Sequence, residues 1–171
     1  HDLKYVQDDM NNVVIYKPAT PGYENAPTVI LQGHMDMVCA KCPEIEHDFT
    51  KDGLKLVVRD GFLSAEGTTL GGDDGIAVAY GLALLDSTDL PHPALEVVFT
   101  VDEETGLLGA DGFDCSLLKG RRMINLDSEK EGCLWVSCAG GVAGNSYLPV
   151  RRVDASGRKV NVKVCGLVGG H

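Results

Sequence analysis

Short apolar runs separated by turn residues make up most of the first 140 positions. Runs of β-branched and aliphatic residues bounded by Gly, Pro, Asp or Asn predict strands. The predicted strands are 12–17, 28–32, 54–58, 61–64, 95–101, 123–126 and 133–137. One longer run, 74–86, is apolar nearly all round and predicts a helix buried against a sheet. Residues 107–112 and 115–118 predict short helical turns.

The order of these elements predicts the fold class. Continuous apolar strands alternating with helix are typical of an α/β layer structure with a largely parallel central sheet. After residue 140 the pattern changes, because 145–150 and 159–165 alternate like half-exposed antiparallel strands. We therefore predict one domain over 1–140 and the start of an α+β domain in 141–171.

Composition excludes two classes of partner. The 171 residues carry a formal net charge of -10, whereas binding to nucleic acid phosphates requires a basic surface. No apolar run approaches the roughly 20 residues that a membrane-spanning helix needs. The six cysteines are too sparse for a disulfide framework and are expected to be reduced, with Cys39 and Cys42 forming a lone C-x-x-C pair.

Histidine and acidic residues cluster where predicted strands end and where the predicted helix begins. Ligands of open α/β sheets bind outside the carboxyl ends of the strands, so these groups are expected to converge. The clusters are His34-Met-Asp36, Gly72-Asp73-Asp74-Gly75, Asp102-Glu103-Glu104 and Asn125-Leu126-Asp127. Taken singly, they have ordinary interpretations as a core histidine, a helix cap or a solvated acidic pair.

Taken together, the clusters point to a metal site. Several carboxylates that converge without a cation repel one another, and some would be forced to protonate. One imidazole with several carboxylates suits Zn²⁺, Mn²⁺ or Co²⁺ better than Ca²⁺. So many acidic groups also allow two metals that share a carboxylate, as in hydrolytic two-metal sites.

Spacing suggests roles for some of these residues. His34 and Asp36 share one face of a strand, so His34 is a candidate ligand whose second ring nitrogen Asp36 would hold. Glu103 and Glu104 are neighbours in extended chain and point in opposite directions. One would bind metal and the other would act as general base, but spacing does not say which.

The chain resembles the aminoacyl-histidine dipeptidases, also called cytosol non-specific dipeptidases, of the co-catalytic zinc peptidase and aminoacylase family. The similarity runs in order over nearly the whole chain, in the segments GHMDMV, GTTLGGDDGIAVA, VDEETGLLGA, NLDSEKEG, CAGG and GLVGGH. It implies a three-layer catalytic domain, interrupted by a lid domain that begins near residue 140. It also implies a cytoplasmic protein that forms homodimers through the lid.

The resemblance also implies roles for individual residues. His34, Asp73 and Asp127 would bind one metal, and the bridging Asp73 and Glu104 the other. Glu103 would be the general base, Asp36 would orient His34, and the Asp73–Asp74 peptide bond would be cis. His171, in the lid segment GLVGGH, would contribute to substrate binding and oxyanion stabilisation.

The implied reaction is hydrolysis of dipeptides, preferably of the Xaa-His type, with zinc the expected metal and cobalt or manganese as alternatives. One further histidine ligand would come from a downstream part of the protein, since His47 and His92 lie outside the motifs and are expected in loops or at the surface. The chain begins without Met and ends after a strand-like run, so we expect a fragment of a longer protein. Two alternatives stay open: an N-acyl amino acid deacylase, and a catalytically inactive metal-binding fragment.

Overall fold

A five-stranded mixed sheet organises the first part of the chain. The computed structural model describes residues 2–128, 130–138, 140, 142, 144–154 and 156–166. Its elements in chain order are β1 (Lys4–Gln7), β2 (Val13–Lys17), β3 (Val29–His34), β4 (Leu56–Arg59), β5 (Phe62–Ala65), α1 (Gly72–Asp86), β6 (Leu95–Thr100), α2 (Leu108–Asp111), a 3-10 turn (Cys115–Leu117) and β7 (Arg122–Asn125). The strand order in the sheet is β1-β2-β6-β3-β7, and β4 and β5 form a separate antiparallel pair.

The strands are parallel in one half of the sheet and antiparallel in the other. β3 runs parallel to both β6 and β7, whereas β2 is antiparallel to both β1 and β6. The prediction of a largely parallel sheet therefore holds for three of the five strands. A short turn joins β1 to β2, and such a connection permits only antiparallel pairing. Strand β1 was not predicted, because KYVQ alternates too briefly to stand out.

The core lies on both faces of the central strand β6, all six residues of which are buried. On one face α1 packs against a cluster that contains Leu31, Leu85, Val97 and Phe99. The other face carries a second cluster, with partly buried side chains from the segment that contains α2 and the 3-10 turn. The predicted three-layer arrangement is not confirmed among the described residues.

Helix α1 presents only one face to the sheet. Ala77, Gly81 and Leu85, spaced by four residues, are buried. Ile76 and Tyr80 are more than half exposed, so the prediction that the helix is buried all round is wrong. A flat sheet contacts one side of a helix, and an apolar pattern does not say what covers the other side.

The chain separates into two units, residues 1–133 and 134–171. The structure assigns no strand to any described residue from 133 onward, so the strands predicted at 133–137, 145–150 and 159–165 are wrong here. Side chains such as Leu134, Val136 and Tyr147 are at least nine-tenths exposed. An alternating pattern forms a strand only where a partner takes up its backbone hydrogen bonds. The lid domain and the boundary near residue 140 stay predictions.

Two expectations from composition can be compared with the structure. All six cysteines are free, as predicted for reduced thiols. Over the described part of the chain, no helix combines the length and apolar character that crossing a bilayer requires.

The contact between α1 and β6 predicts the effect of one substitution. A Cβ atom at Gly81 would lie 2.7 Å from Phe99 Cζ and 2.9 Å from Val97 Cγ1. We expect Gly81→Ala to lower the free energy of unfolding by about 1–3 kcal/mol through overpacking, measured by urea denaturation. Gly75→Ala is the matched control, because nothing lies within 4 Å of a Cβ there. It should gain up to about 1 kcal/mol from helix propensity. Equal stability of the two variants would contradict the described packing of α1.

Candidate metal centre

The predicted site residues meet at the carboxyl edge of the parallel strands. His34 is the last residue of β3, opposite Thr100, the last residue of β6. Asp127 follows β7 by two residues, and Asp73 lies at the start of α1. Parallel strands place their carboxyl ends at the same edge, which is why groups distant in sequence are neighbours here.

The imidazole of His34 is the centre of this group. Its side chain is only 1% exposed, and its Nε2 lies 3.0 Å from Asp73 Oδ1 and 4.0 Å from Glu103 Oε2. On the other side of the ring, Nδ1 lies 3.3 Å from Asp36 Oδ1. No hydrogen bond forms at that contact, so Nδ1 is a buried atom without a hydrogen-bond partner.

Two sets of ligand atoms around His34 are close enough to hold a cation. His34, Asp73 and Asp127 form one set, and His34, Glu103 and Glu104 form the other, with the ligand atoms of each set within 4.8 Å of one another. A nitrogen ligand combined with carboxylate oxygens fits Zn²⁺, Mn²⁺ or Co²⁺. The donor set present therefore fits the predicted class of metal.

Burial and charge act in opposite directions on His34. Burial lowers the pKa of the imidazole, but the hydrogen bond with Asp73 and the charges of Asp127, Asp36 and Glu103 outweigh it and raise the pKa above its ordinary value. The pKa of Glu103 is also raised, first by burial and then by the charges of nearby carboxylates, against the opposing effect of His34. Mutual repulsion among the acids thus favours a proton, or a cation in its place, within the group.

Asp36 holds the loop that follows β6. Its Oδ1 accepts a hydrogen bond from the backbone N–H of Glu103 and its Oδ2 accepts one from the N–H of Glu104, both at 3.1 Å. Burial by itself would raise the pKa of Asp36, but these backbone hydrogen bonds and the charge of His34 lower it overall. Sequence reasoning missed this contact, because the two segments are separated by 67 residues. The orienting role of Asp36 toward His34 stays a prediction.

The start of α1 is fixed against the end of β3. The Asp73–Asp74 peptide bond is cis, as predicted from the resemblance. Asp74, 1% exposed, accepts a hydrogen bond on Oδ2 from the backbone N–H of His34 at 3.2 Å. A Cβ at Gly33 would lie 2.5 Å from that oxygen, so the glycine lets the helix approach the strand. This contact keeps Asp73 beside the imidazole.

A cavity of about 280 Å³ opens beside Glu103 and Asp127. Its walls are mainly apolar and include Leu107, Phe113 and Met123. An apolar part of a ligand can therefore approach the carboxylates from this side.

The structure brings six of the seven predicted site residues together: His34, Asp36, Asp73, Glu103, Glu104 and Asp127. The seventh, His171, lies outside the described residues. His47 and His92 lie in loops, as expected, although His92 is only 7% exposed and donates its backbone N–H to Thr20 Oγ1.

The chain is similar in sequence to known bacterial proteins. Cytosol non-specific dipeptidase of Escherichia coli (strain K12) is 41% identical over 167 residues, which cover 96% of this chain and 34% of that protein. The uncharacterized protein YqjE of Bacillus subtilis (strain 168) is 32% identical over 112 residues, which cover 63% of this chain and 28% of that protein. The chain thus spans about a third of the length of these relatives.

Solved structures agree with the sequence relatives. The crystal structure of aminoacylhistidine dipeptidase from Vibrio alginolyticus matches with a TM-score of 0.74 and 45% identity, over 76% of this chain and 26% of that one. A tripeptidase from Staphylococcus aureus matches with a TM-score of 0.60 and 27% identity, over 75% of this chain and 35% of that one. The resemblance to the aminoacyl-histidine dipeptidases is confirmed.

Residues 30–136 also match the model of peptidase family M20/M25/M40. This segment contains every acidic and histidine residue of the centre described above. The chain belongs to peptidase family M20/M25/M40.

Proposed function

We propose that the protein containing this chain is a two-metal dipeptidase that prefers Xaa-His dipeptides. The observation that carries the proposal is the convergence of carboxylates on the buried His34 at the carboxyl edge of the sheet. The substrate class rests on similarity to proteins described as a cytosol non-specific dipeptidase and an aminoacylhistidine dipeptidase.

His34, Asp73 and Asp127 would hold one divalent cation, and Asp73 and Glu104 a second, with Asp73 bridging. Zinc is the proposed metal, with cobalt or manganese as alternatives. When bound, such cations lower the pKa of water and polarise the carbonyl of the scissile bond.

Glu103 is the proposed general base. It would take a proton from the attacking water and deliver it to the amine of the leaving amino acid. Its raised pKa supports this role, because a carboxylate that both accepts and returns a proton works best when its pKa is nearer the working pH. Asp36 would keep Glu103 in place through the backbone N–H that it binds.

Three further proposals concern the whole protein. We place it in the cytoplasm because its Escherichia coli relative is described as cytosolic. A homodimer formed through the lid, and a contribution of His171 to substrate binding, rest on the resemblance alone.

Replacing the proposed base tests the mechanism. We expect Glu103→Gln in the complete protein to lower kcat by about a hundredfold to ten-thousandfold while metal content stays unchanged, because the amide cannot accept the proton. Steady-state kinetics with a dipeptide and elemental analysis would measure the two effects. Glu44→Gln, at an exposed position outside the centre, is the control. Activity equal to that of the control would exclude Glu103 as the base.

Removing the proposed bridge tests the metal arrangement. The complete protein, dialysed against trace Zn²⁺ or Mn²⁺, should hold close to two metals per chain by elemental analysis, and Asp73→Ala should lose most of both because one carboxylate serves both sites. Asp9→Ala, another exposed aspartate, should retain both metals. Full metal content in Asp73→Ala would contradict the bridging role.

Matched substrates test the specificity. We expect kcat/KM for Gly-His to exceed that for Gly-Ala by about tenfold or more, because a site that binds the imidazole leaves its own polar groups unpaired with alanine. N-acetyl-histidine, which lacks the free amine of a dipeptide, separates peptidase from deacylase activity. Faster turnover of N-acetyl-histidine than of Gly-His would refute the dipeptidase proposal.

A further inference from the structure

The loop that carries Glu103 and Glu104 closes on itself. We call residues 101–109 the carboxylate loop. The N–H of Leu108 donates to Asp102 O and the N–H of Gly109 donates to Val101 O, both at 3.1 Å. The two ends of the loop are therefore adjacent, and the position of its acidic residues depends on how those ends are held.

A buried side chain just before β2 joins the two ends. Asn12 is 1% exposed, and its Oδ1 accepts a hydrogen bond from the N–H of Val101 at 3.1 Å. Its Nδ2 donates to Gly109 O at 2.9 Å. A Cβ at Gly109 would lie 2.7 Å from Asn12 Oδ1 and 2.1 Å from Val101 O, so only glycine permits this approach.

The sheet topology explains how Asn12 reaches the loop. Asn12 immediately precedes β2, and β2 is antiparallel to β6 with Val13 opposite Phe99. The start of β2 therefore lies beside the carboxyl end of β6, where the carboxylate loop begins. A strand parallel to β6 would have its carboxyl end at that edge, and the residue that precedes it would lie at the opposite edge of the sheet.

Asp8 fixes the orientation of the Asn12 amide. Asn12 Nδ2 donates to Asp8 Oδ2 at 2.8 Å, and the backbone N–H of Asn12 donates to Asp8 Oδ1 at 2.8 Å. Both hydrogens of the amide are thus used by oxygen acceptors, and its oxygen faces an N–H. An aspartate at this position would keep the contact with Val101 but would set a carboxylate against Gly109 O and Asp8.

We propose that Asn12 is a positioning residue for the reaction proposed above: by joining the two ends of the carboxylate loop, it sets the places of Glu103 and Glu104. Asp36 holds the loop at the other side, through the N–H groups of the two glutamates. This inference rests on the proposed function. A purely structural asparagine would affect stability and leave the chemistry of the folded protein unchanged.

The test compares Asn12→Ala and Asn12→Asp with Val14→Ala in the complete protein. Val14 lies two residues further along, in β2, is equally buried and contacts the core instead of the loop. For both Asn12 variants we expect kcat to fall about tenfold to a hundredfold because the carboxylates are misplaced. We expect KM to change by no more than about twofold, because Asn12 is not proposed to contact the substrate and its loss should not weaken ground-state binding.

A second readout does not depend on activity. The metal-free protein would be titrated with Co²⁺ and binding followed by visible absorption. We expect Co²⁺ affinity to fall about tenfold in both Asn12 variants, because the contacts that hold a metal-binding residue in place contribute to metal affinity. Val14→Ala should lose stability through its cavity yet bind Co²⁺ and turn over substrate like the unsubstituted protein. Asn12 variants that match Val14→Ala in kcat and Co²⁺ affinity would overturn the proposal.

Hydrogen exchange on the unsubstituted protein covers the case in which the Asn12 variants do not fold. The amide of Val101 should exchange as slowly as those of β6, because a buried side chain accepts its hydrogen bond. Fast exchange at Val101 would overturn the proposal. The proposed function and the role of Asn12 are tested separately. An unsubstituted protein without peptidase activity would refute the proposed function, whereas the Co²⁺ affinity and the exchange rate at Val101 test the role of Asn12.

Discussion

Keeping several carboxylates beside one buried imidazole is the electrostatic constraint on which the structure of this site depends. The charges of Asp127, Asp36 and Glu103 and the hydrogen bond with Asp73 all act on His34. Like charges at such distances repel, and burial adds to the cost of ionising the partly buried Asp36 and Glu103. An acid in this group is therefore easier to ionise where hydrogen-bond donors offset that cost.

Backbone amides offset this cost at Asp36. The pKa of Asp36 is lowered because two loop N–H groups donate to it, whereas burial and the charges of nearby carboxylates raise the pKa of Glu103. Two neighbouring acids thus differ in proton affinity because their environments differ. This difference is consistent with the roles proposed above, positioning for Asp36 and proton exchange for Glu103.

Much of the fold followed from local pattern. The pattern predicts strands β2, β3, β6 and β7 and helix α1, because short apolar runs bounded by turn residues are typical of buried strands and a longer apolar run is typical of a helix. Where the prediction was wrong, local pattern did not show which other segment of the chain would pair with or cover the element. Residues 145–150 alternate as a strand would, but the structure assigns them no strand. Ile76 and Tyr80 continue the apolar pattern of α1, yet the sheet contacts only the opposite face.

The sequence by itself marked the clusters of the candidate site, and the family resemblance singled out individual residues within them. His34, Asp73, Glu103, Glu104 and Asp127 follow strands or begin a helix, and the carboxyl ends of parallel strands share one edge. Only the tertiary structure decided how they are held. The contacts of Asp36 with the carboxylate loop and of Asn12 with Val101 and Gly109 join segments 67 to 97 residues apart. Local pattern carries no record of them, because a hydrogen bond between distant segments depends on strand order and direction, which the whole chain sets on folding.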